Sequence, residues 1–193
     1  MIWNFIARQL ARPSVVVWLI NRAKRTPYTH ITSPSGTVYM ERYWLFNPYP
    51  PESSGKRPWW KFPISVRLHR ILRQDDDRHL HDHPWNARTV ILQGWYAERR
   101  PYANEPMPPD ATMISYDAGF ELTRHVGYTG QLRFGQYHRI TAVAPGGVWT
   151  LFITGRYRGT WGFHVDGVKV PWREYLGVNE AVAAVPKNEE ETV

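Results

Sequence analysis

The chain has 193 residues, 42% of them hydrophobic and 15% aromatic, enough to bury the core of one domain and suited to broad β-sheet faces. It has no cysteine, which excludes disulfides, thiolate metal sites and cysteine nucleophiles, and its net charge of +7 favours anionic partners. The arginines are spread along the chain, which counts against nucleic acid.

In chain order, residues 1–25 predict helix. Trp3, Ile6, Ala7, Leu10 and Ala11 recur at helical spacing, and Pro13 can open a second helix carrying the apolar run Val15 to Ile20. That run is too continuous for a one-sided surface helix. The segment is therefore expected to pack on the body of the protein or on a partner subunit rather than lie on a membrane. No apolar run reaches the roughly 18 residues of a membrane span, and no signal-peptide cleavage site is evident, so a cytoplasmic location is expected.

Residues 26–35, with Pro27 and Pro34 as breakers, predict a loop. Thr37 to Phe46 alternates and predicts a strand. Residues 47–63 are rich in proline and predict a long exposed loop, pinned by Trp59 or Trp60. From Ile64 to Leu72 the pattern alternates again, with Val66, Leu68 and Arg70 on one face and Arg67, His69 and Ile71 on the other. Asp75 to Asp77 predicts a turn.

His79, His81 and His83 then fall at every second position, which places them on one face of an extended strand. A Pro84-Trp85-Asn86 turn follows, and an apolar strand returns from Thr89 to Leu92 and breaks at Gly94. Two imidazoles two residues apart can grip one metal ion, and a third has to arrive from elsewhere, with His138 the best candidate. Asp82 points to the opposite face. Glu98 and Tyr96 alternate with Gly94 along the returning strand, so they share a face and form a candidate catalytic pair. Arg88, Arg124 and His125 are candidate substrate-binding residues, because a planar guanidinium binds a carboxylate or phosphate through paired hydrogen bonds. His30, His69 and His164 lack metal spacing and are expected to be structural.

Further strands are expected at Ala111 to Tyr116, Gly119 to Val126, Gln131 to Val143, Val148 to Thr154 and Thr160 to His164. Asp166-Gly167 signals a hairpin into Val168 to Val170. Arg173 to Ala184 predicts a short helix, and residues 187–193 an acidic tail. Many short strands with Gly and Pro turns predict a mainly β barrel or jelly roll. This divides the chain into a helical segment and linker (1–36), a barrel (37–176) and a terminal helix with tail (177–193). No glycine-rich phosphate loop and no nucleophile elbow is present.

His81-Asp82-His83 closing at Gly94, and Tyr137-His138-Arg139-Ile140 before the apolar strand 149–153, resemble the two motifs of the cupin superfamily. The blocks HDHPW, GWYAE, HRI and TLFITG followed by WGF are similar to small cupin-like proteins of tailed phages and prophages, over about residues 39–175. The resemblance implies a cupin-type double-stranded β-helix that binds a divalent metal ion. Iron(II) is the first choice, with zinc, nickel or manganese as alternatives. The implied ligands are His81, His83 and His138, with His79 and Glu98 ranked behind them. The position of the cupin glutamate is held by Ala87 or Arg88, so either the site is three-histidine, as in thiol dioxygenases, or Glu98 supplies the carboxylate. The implied function is a small metal-dependent enzyme acting on a small anionic molecule, of oxygenase type first and isomerase second. The alternative is a non-enzymatic, phage-encoded binding or structural protein in the bacterial host cytoplasm, and a homodimer is compatible with either.

Overall fold

The computed structural model describes residues 2–33, 36–48, 62–101, 112–115 and 119–177. Helices α1 (Ile2–Leu10) and α2 (Pro13–Ala23) come first. The strands are β1 (Pro27–Thr32), β2 (Val38–Phe46), β3 (Ser65–Ile71), β4 (Leu80–His81), β5 (Ala87–Gln93), β6 (Tyr96–Arg100), β7 (Thr112–Ser115), β8 (Gly119–Arg124), β9 (Thr129–Leu132), β10 (Arg139–Val143), β11 (Val148–Thr154), β12 (Gly162–Val165) and β13 (Val168–Pro171). A single turn, α3 (Trp172–Tyr175), follows. The protein is mainly β and antiparallel, with the expected N-terminal helices and jelly-roll character.

Six strands form one sheet in the order β1-β2-β3-β11-β5-β9, and four form a second in the order β10-β6-β8-β7. A small third sheet, β13-β12-β4, carries the His-Asp-His stretch. The large sheet has two faces of different character, as strand alternation requires. Tyr43, Leu68, Val90, Leu92, Trp149 and Leu151 point outward and are covered by Ala7, Val16, Leu19 and Ala23 of the helices. Each large aliphatic side chain buried there contributes about 1.5–3 kcal/mol. The other face carries Arg42, Arg67, His69, Thr89, Thr150 and Phe152 and lines a cavity between the two main sheets.

The break between the helices has a local cause. Proline disfavours helical geometry in the residue before it, and Arg12 is extended, with φ −64 and ψ 134, while Pro13 starts α2. The helices pack on the sheet, as the continuous apolar run suggested. No helix among the described residues is long and apolar enough to cross a membrane.

The structure corrects four element expectations. Residues 26–35 contain strand β1 rather than only loop, because Pro27 occupies the first position of an edge strand, where a missing N–H breaks no ladder. Its Tyr28 stacks on Trp44 with ring centroids 4.5 Å apart. The single expected strand Gln131 to Val143 is two strands, β9 and β10, in different sheets. The last barrel hairpin begins at Gly162 rather than Thr160, and α3 ends at Tyr175, while residues 178–184 of the expected helix lie outside the described residues. The Asp166-Gly167 turn is present, with both residues at positive φ (48 and 83), as a two-residue hairpin of this kind requires. Trp59, Trp60, most of the proline-rich loop and the acidic tail lie outside the described residues.

Gly94 turns β5 into β6 at φ +80, and a Cβ there would sit 2.7 Å from the Gly147 carbonyl oxygen. Gly94→Ala combines a left-handed backbone with a backbone clash and is expected to destabilise the fold by roughly 1–3 kcal/mol. Urea unfolding measures this, and an unchanged midpoint would contradict the tight approach.

Candidate functional site

Three histidines from distant parts of the sequence meet at the cavity. His81 and His138 form an isolated antiparallel bridge in which each backbone N–H donates to the other's carbonyl at 2.9 Å. This exchange fixes two segments 57 residues apart in the chain, by numbering alone, and aims both imidazoles at one point. His83 lies two residues beyond His81, on the same face. Its Nε2 is 2.9 Å from His138 Nε2, and one ring nitrogen from each of the three histidines lies within 4.8 Å of the others. Asp82, between them, points the other way. It is fully buried and accepts hydrogen bonds from the Gly162 N–H (2.7 Å) and Lys169 Nζ (2.5 Å). The His-Asp-His alternation thus has two working sides: the histidines face the cavity, and the aspartate bolts β4 to β12 and β13.

Glu98 stands behind His138. Its side chain is 2% exposed; Oε1 accepts from His138 Nδ1 at 2.8 Å and is ion-paired with Arg100 at 3.1 Å, while Oε2 accepts from Arg124 Nε at 3.1 Å. Burial pushes this carboxyl up, but Arg100, the His138 hydrogen bond and Arg124 together outweigh it and hold the pKa well below the usual carboxylate range. An ionised carboxylate only accepts, so His138 Nδ1 carries the proton, and Nε2 is the ring nitrogen turned toward His83.

His83 and His81 are held neutral near pH 7. Burial, reinforced by His138 and His81, pushes His83 well below its ordinary value. Burial brings His81 down to about 4, against the opposing pull of Asp75. Asp75 lies 3.8 Å from His81 Nδ1, accepts the Ile140 N–H at 2.8 Å and accepts the Tyr39 hydroxyl. The acidic turn therefore has one buried member with a place beside the site.

The remaining expected site residues are distributed as follows. Tyr96 lines the cavity and is buried, which raises its pKa well above normal and keeps the phenol protonated. His79 is not with the three histidines: β4 is too short to extend the alternation back to it, and its Nδ1 lies 2.9 Å from the Tyr175 hydroxyl. Arg88 is on the outer side of β5, with its guanidinium 4.4 Å above the Trp3 ring and bonded to Thr129. Arg124 is engaged by Glu98 and stacks on Tyr128 at 4.3 Å. His125 is exposed beyond the end of β8. None of Arg88, Arg124 and His125 lines the cavity.

Sequence reasoning passed over Arg67, His69, Trp85 and Arg100, all of which line the cavity. The signal for two of them was the alternation of β3, which put Arg67 and His69 on one face. A polar face normally faces water, but in a barrel with an internal cavity it can face inward. The cavity holds about 490 Å³, and its walls include Met40, Ile71, Phe152, Ile140 and Phe163.

No protein-family model and no curated protein sequence matches the chain. Among solved structures it is similar to a cupin-2 domain protein from Rhodospirillum rubrum (TM-score 0.44, 12% identity, 81% of this chain and 84% of that one). It is also similar to the polyketide cyclase RemF of Streptomyces resistomycificus (0.44, 12%, 75% and 83%). A third likeness is to a variant of Bacillus subtilis oxalate decarboxylase (0.44, 13%), of which the match covers 86% of this chain but 36% of the other. Likeness at this level says nothing about chemistry.

The depressed imidazoles predict a pH dependence. A histidine in the unfolded chain takes up a proton near pH 6.5, whereas buried His69 and His81 resist protonation in the fold, His81 down to about 4. Below about pH 6.5 the unfolded state therefore binds more protons, and stability falls as pH falls. Urea midpoints of metal-free protein are expected to drop between roughly pH 7.5 and 5.5. His69→Gln should make that drop shallower; an equal slope would show that His69 is not held neutral by the fold.

Proposed function

We propose that this chain is a cupin-type protein that holds one divalent metal ion on His81, His83 and His138 and uses it to act on a small anionic molecule in the cavity. The observation that carries this reading is the convergence of three imidazoles at the cavity, with a buried carboxylate behind one of them. The donor set fits the assignment, because neutral imidazole suits first-row ions, and iron(II) is our first choice, with zinc, nickel or manganese behind it. Bound there, the ion would supply a Lewis-acid or one-electron centre with positions left open by the three protein ligands.

Each surrounding residue has a task in this reading. Glu98 keeps the proton of His138 on Nδ1 and fixes the plane of the ring. Arg100 and Arg124 keep Glu98 ionised. With both oxygens engaged by these partners, Glu98 orients a ligand rather than serving as a ligand or general base. Tyr96, held protonated, is a hydrogen-bond donor at the wall rather than a base. Ile71, Phe152 and Phe163 give the chamber an apolar lining that limits water. The reaction class we assign is that of a mononuclear oxygenase.

Metal analysis on single variants tests the ligand set. His81→Ala, His83→Ala and His138→Ala should each lose most of the bound metal while retaining β circular dichroism. Full occupancy in His138→Ala would overturn the assignment. Glu98→Gln removes the charge that orients His138, and metal affinity is expected to fall by about 10- to 100-fold. Unchanged affinity would show that the orienting bond is dispensable.

A further inference from the structure

The inner face of β3 brings a second group of polar side chains to the same cavity, apart from the three histidines. His69 is 7% exposed, and its Nε2 is buried without a hydrogen-bond partner among the described residues. Trp85 also lines the cavity, and its Nε1, which can only donate, is buried and likewise without a partner among them. Buried polar atoms in native proteins have partners, whether protein, water or ligand. Two such nitrogens on one cavity wall point to an acceptor that arrives from outside the chain.

The charges nearby favour an anionic acceptor. Arg67 precedes His69 by two residues on the same face and is 5% exposed. Its guanidinium lies 4.9 Å from the Trp44 ring and 5.0 Å from the Trp85 ring, and it donates to Thr154 Oγ1 at 3.3 Å. Arg42 sits directly across the ladder from His69. Burial first, and then the charges of Arg67 and Arg42, oppose a positive charge on the His69 ring, so the ring stays neutral. A neutral ring can donate one N–H to a ligand oxygen while the arginines supply the charge. The wall also adjoins the metal-binding residues, because Trp85 stacks on His83 with centroids 5.9 Å apart and 24° between the planes. Apolar side chains stand beside these groups: Phe152 lies 5.1 Å from the His69 ring, and Ile71 follows on β3.

We propose that Arg67, His69 and Trp85 form a carboxylate subsite, and that the ligand is a small monocarboxylate whose apolar or aromatic body lies against Phe152 and Ile71. This deepens the function proposed above and rests on the cavity being its ligand chamber, but not on the identity of the metal. It moves anion recognition from Arg88, Arg124 and His125 to β3 and the turn after His83.

Calorimetry with two matched probes, phenylacetate and the uncharged 2-phenylethanol, tests the subsite on zinc-loaded protein and on the same protein after chelation. Phenylacetate should bind more tightly than the alcohol in both forms. His69→Phe and Arg67→Met should each weaken phenylacetate by about ten-fold or more, leave 2-phenylethanol unchanged and leave metal content unchanged. Arg67→Lys keeps the charge without the planar fork and covers the case in which the methionine variant does not fold; it should also weaken phenylacetate. Equal binding of the two probes, or phenylacetate affinity indifferent to these variants, would overturn the proposal. Phenylacetate binding that vanishes on chelation yet ignores the variants would place the carboxylate at the metal, overturning the subsite while leaving the metal reading intact. Conversely, variant-sensitive phenylacetate binding by a protein that takes up no zinc would sustain the subsite and remove the metal reading.

Discussion

The buried Glu98 carboxylate and its three partners are the constraint on which the site depends. A lone carboxylate in this position would be too costly to keep ionised, so Arg100, Arg124 and His138 have to be in place together. They come from three separate places: Arg100 shares β6 with Glu98, Arg124 ends β8, and His138 stands just before β10. The ladder supports this, since Glu98 pairs with Leu122 of β8 and with Ile140 of β10. The hydrogen bond that helps to hold the buried charge therefore also fixes the plane of the His138 ring and the proton on its Nδ1. The His81–His138 backbone bridge then carries that order to the His81–His83 stretch. Removing one member of such a buried network typically costs about 3–5 kcal/mol, so stability and site geometry are held by the same bonds.

The division of the large sheet into two faces explains why the site lies inside. The helices cover one face with Val16 and Leu19 over Tyr43, Leu68 and Leu151, leaving polar chemistry to the other. Around the cavity arginines are tolerated because they have partners of suitable kinds. Arg67 lies over two indole rings, and Arg100 is ion-paired. Asp82 plays the corresponding part at the edge, where it secures β12 and β13 while its two neighbours in sequence face inward.

Much of this was legible in the sequence, for definable reasons. The period-two spacing put His79, His81 and His83 on one face, because alternation on a strand is a local property, and the resemblance to the cupin motifs chose His81, His83 and the later His138, which converge. Pro13 and Asp166-Gly167 marked a helix start and a turn through equally local backbone chemistry. What could not be read depends on register and sheet partners. Glu98 shares a face with Tyr96 as alternation predicted, but its engagement by Arg124 and His138 follows from how β6 lies between β8 and β10. Arg88 sits on a strand with apolar residues on both faces, Val90 and Leu92 outward and Ile91 inward, so the pattern did not reveal its direction. His69 was set aside for lacking a metal spacing, although its place on a polar strand face was visible. The proline rule hid β1, because an edge strand does not need the N–H that proline lacks.

X-ray absorption at the metal edge, on protein reconstituted with one equivalent of iron(II), examines the centre most directly. Three imidazole ligands from protein, with no protein carboxylate in the first coordination sphere, is the predicted result, since Glu98 is bound behind His138. A coordination sphere with two or fewer imidazoles, or one that loses a carboxylate oxygen in Glu98→Gln, would contradict the three-histidine centre.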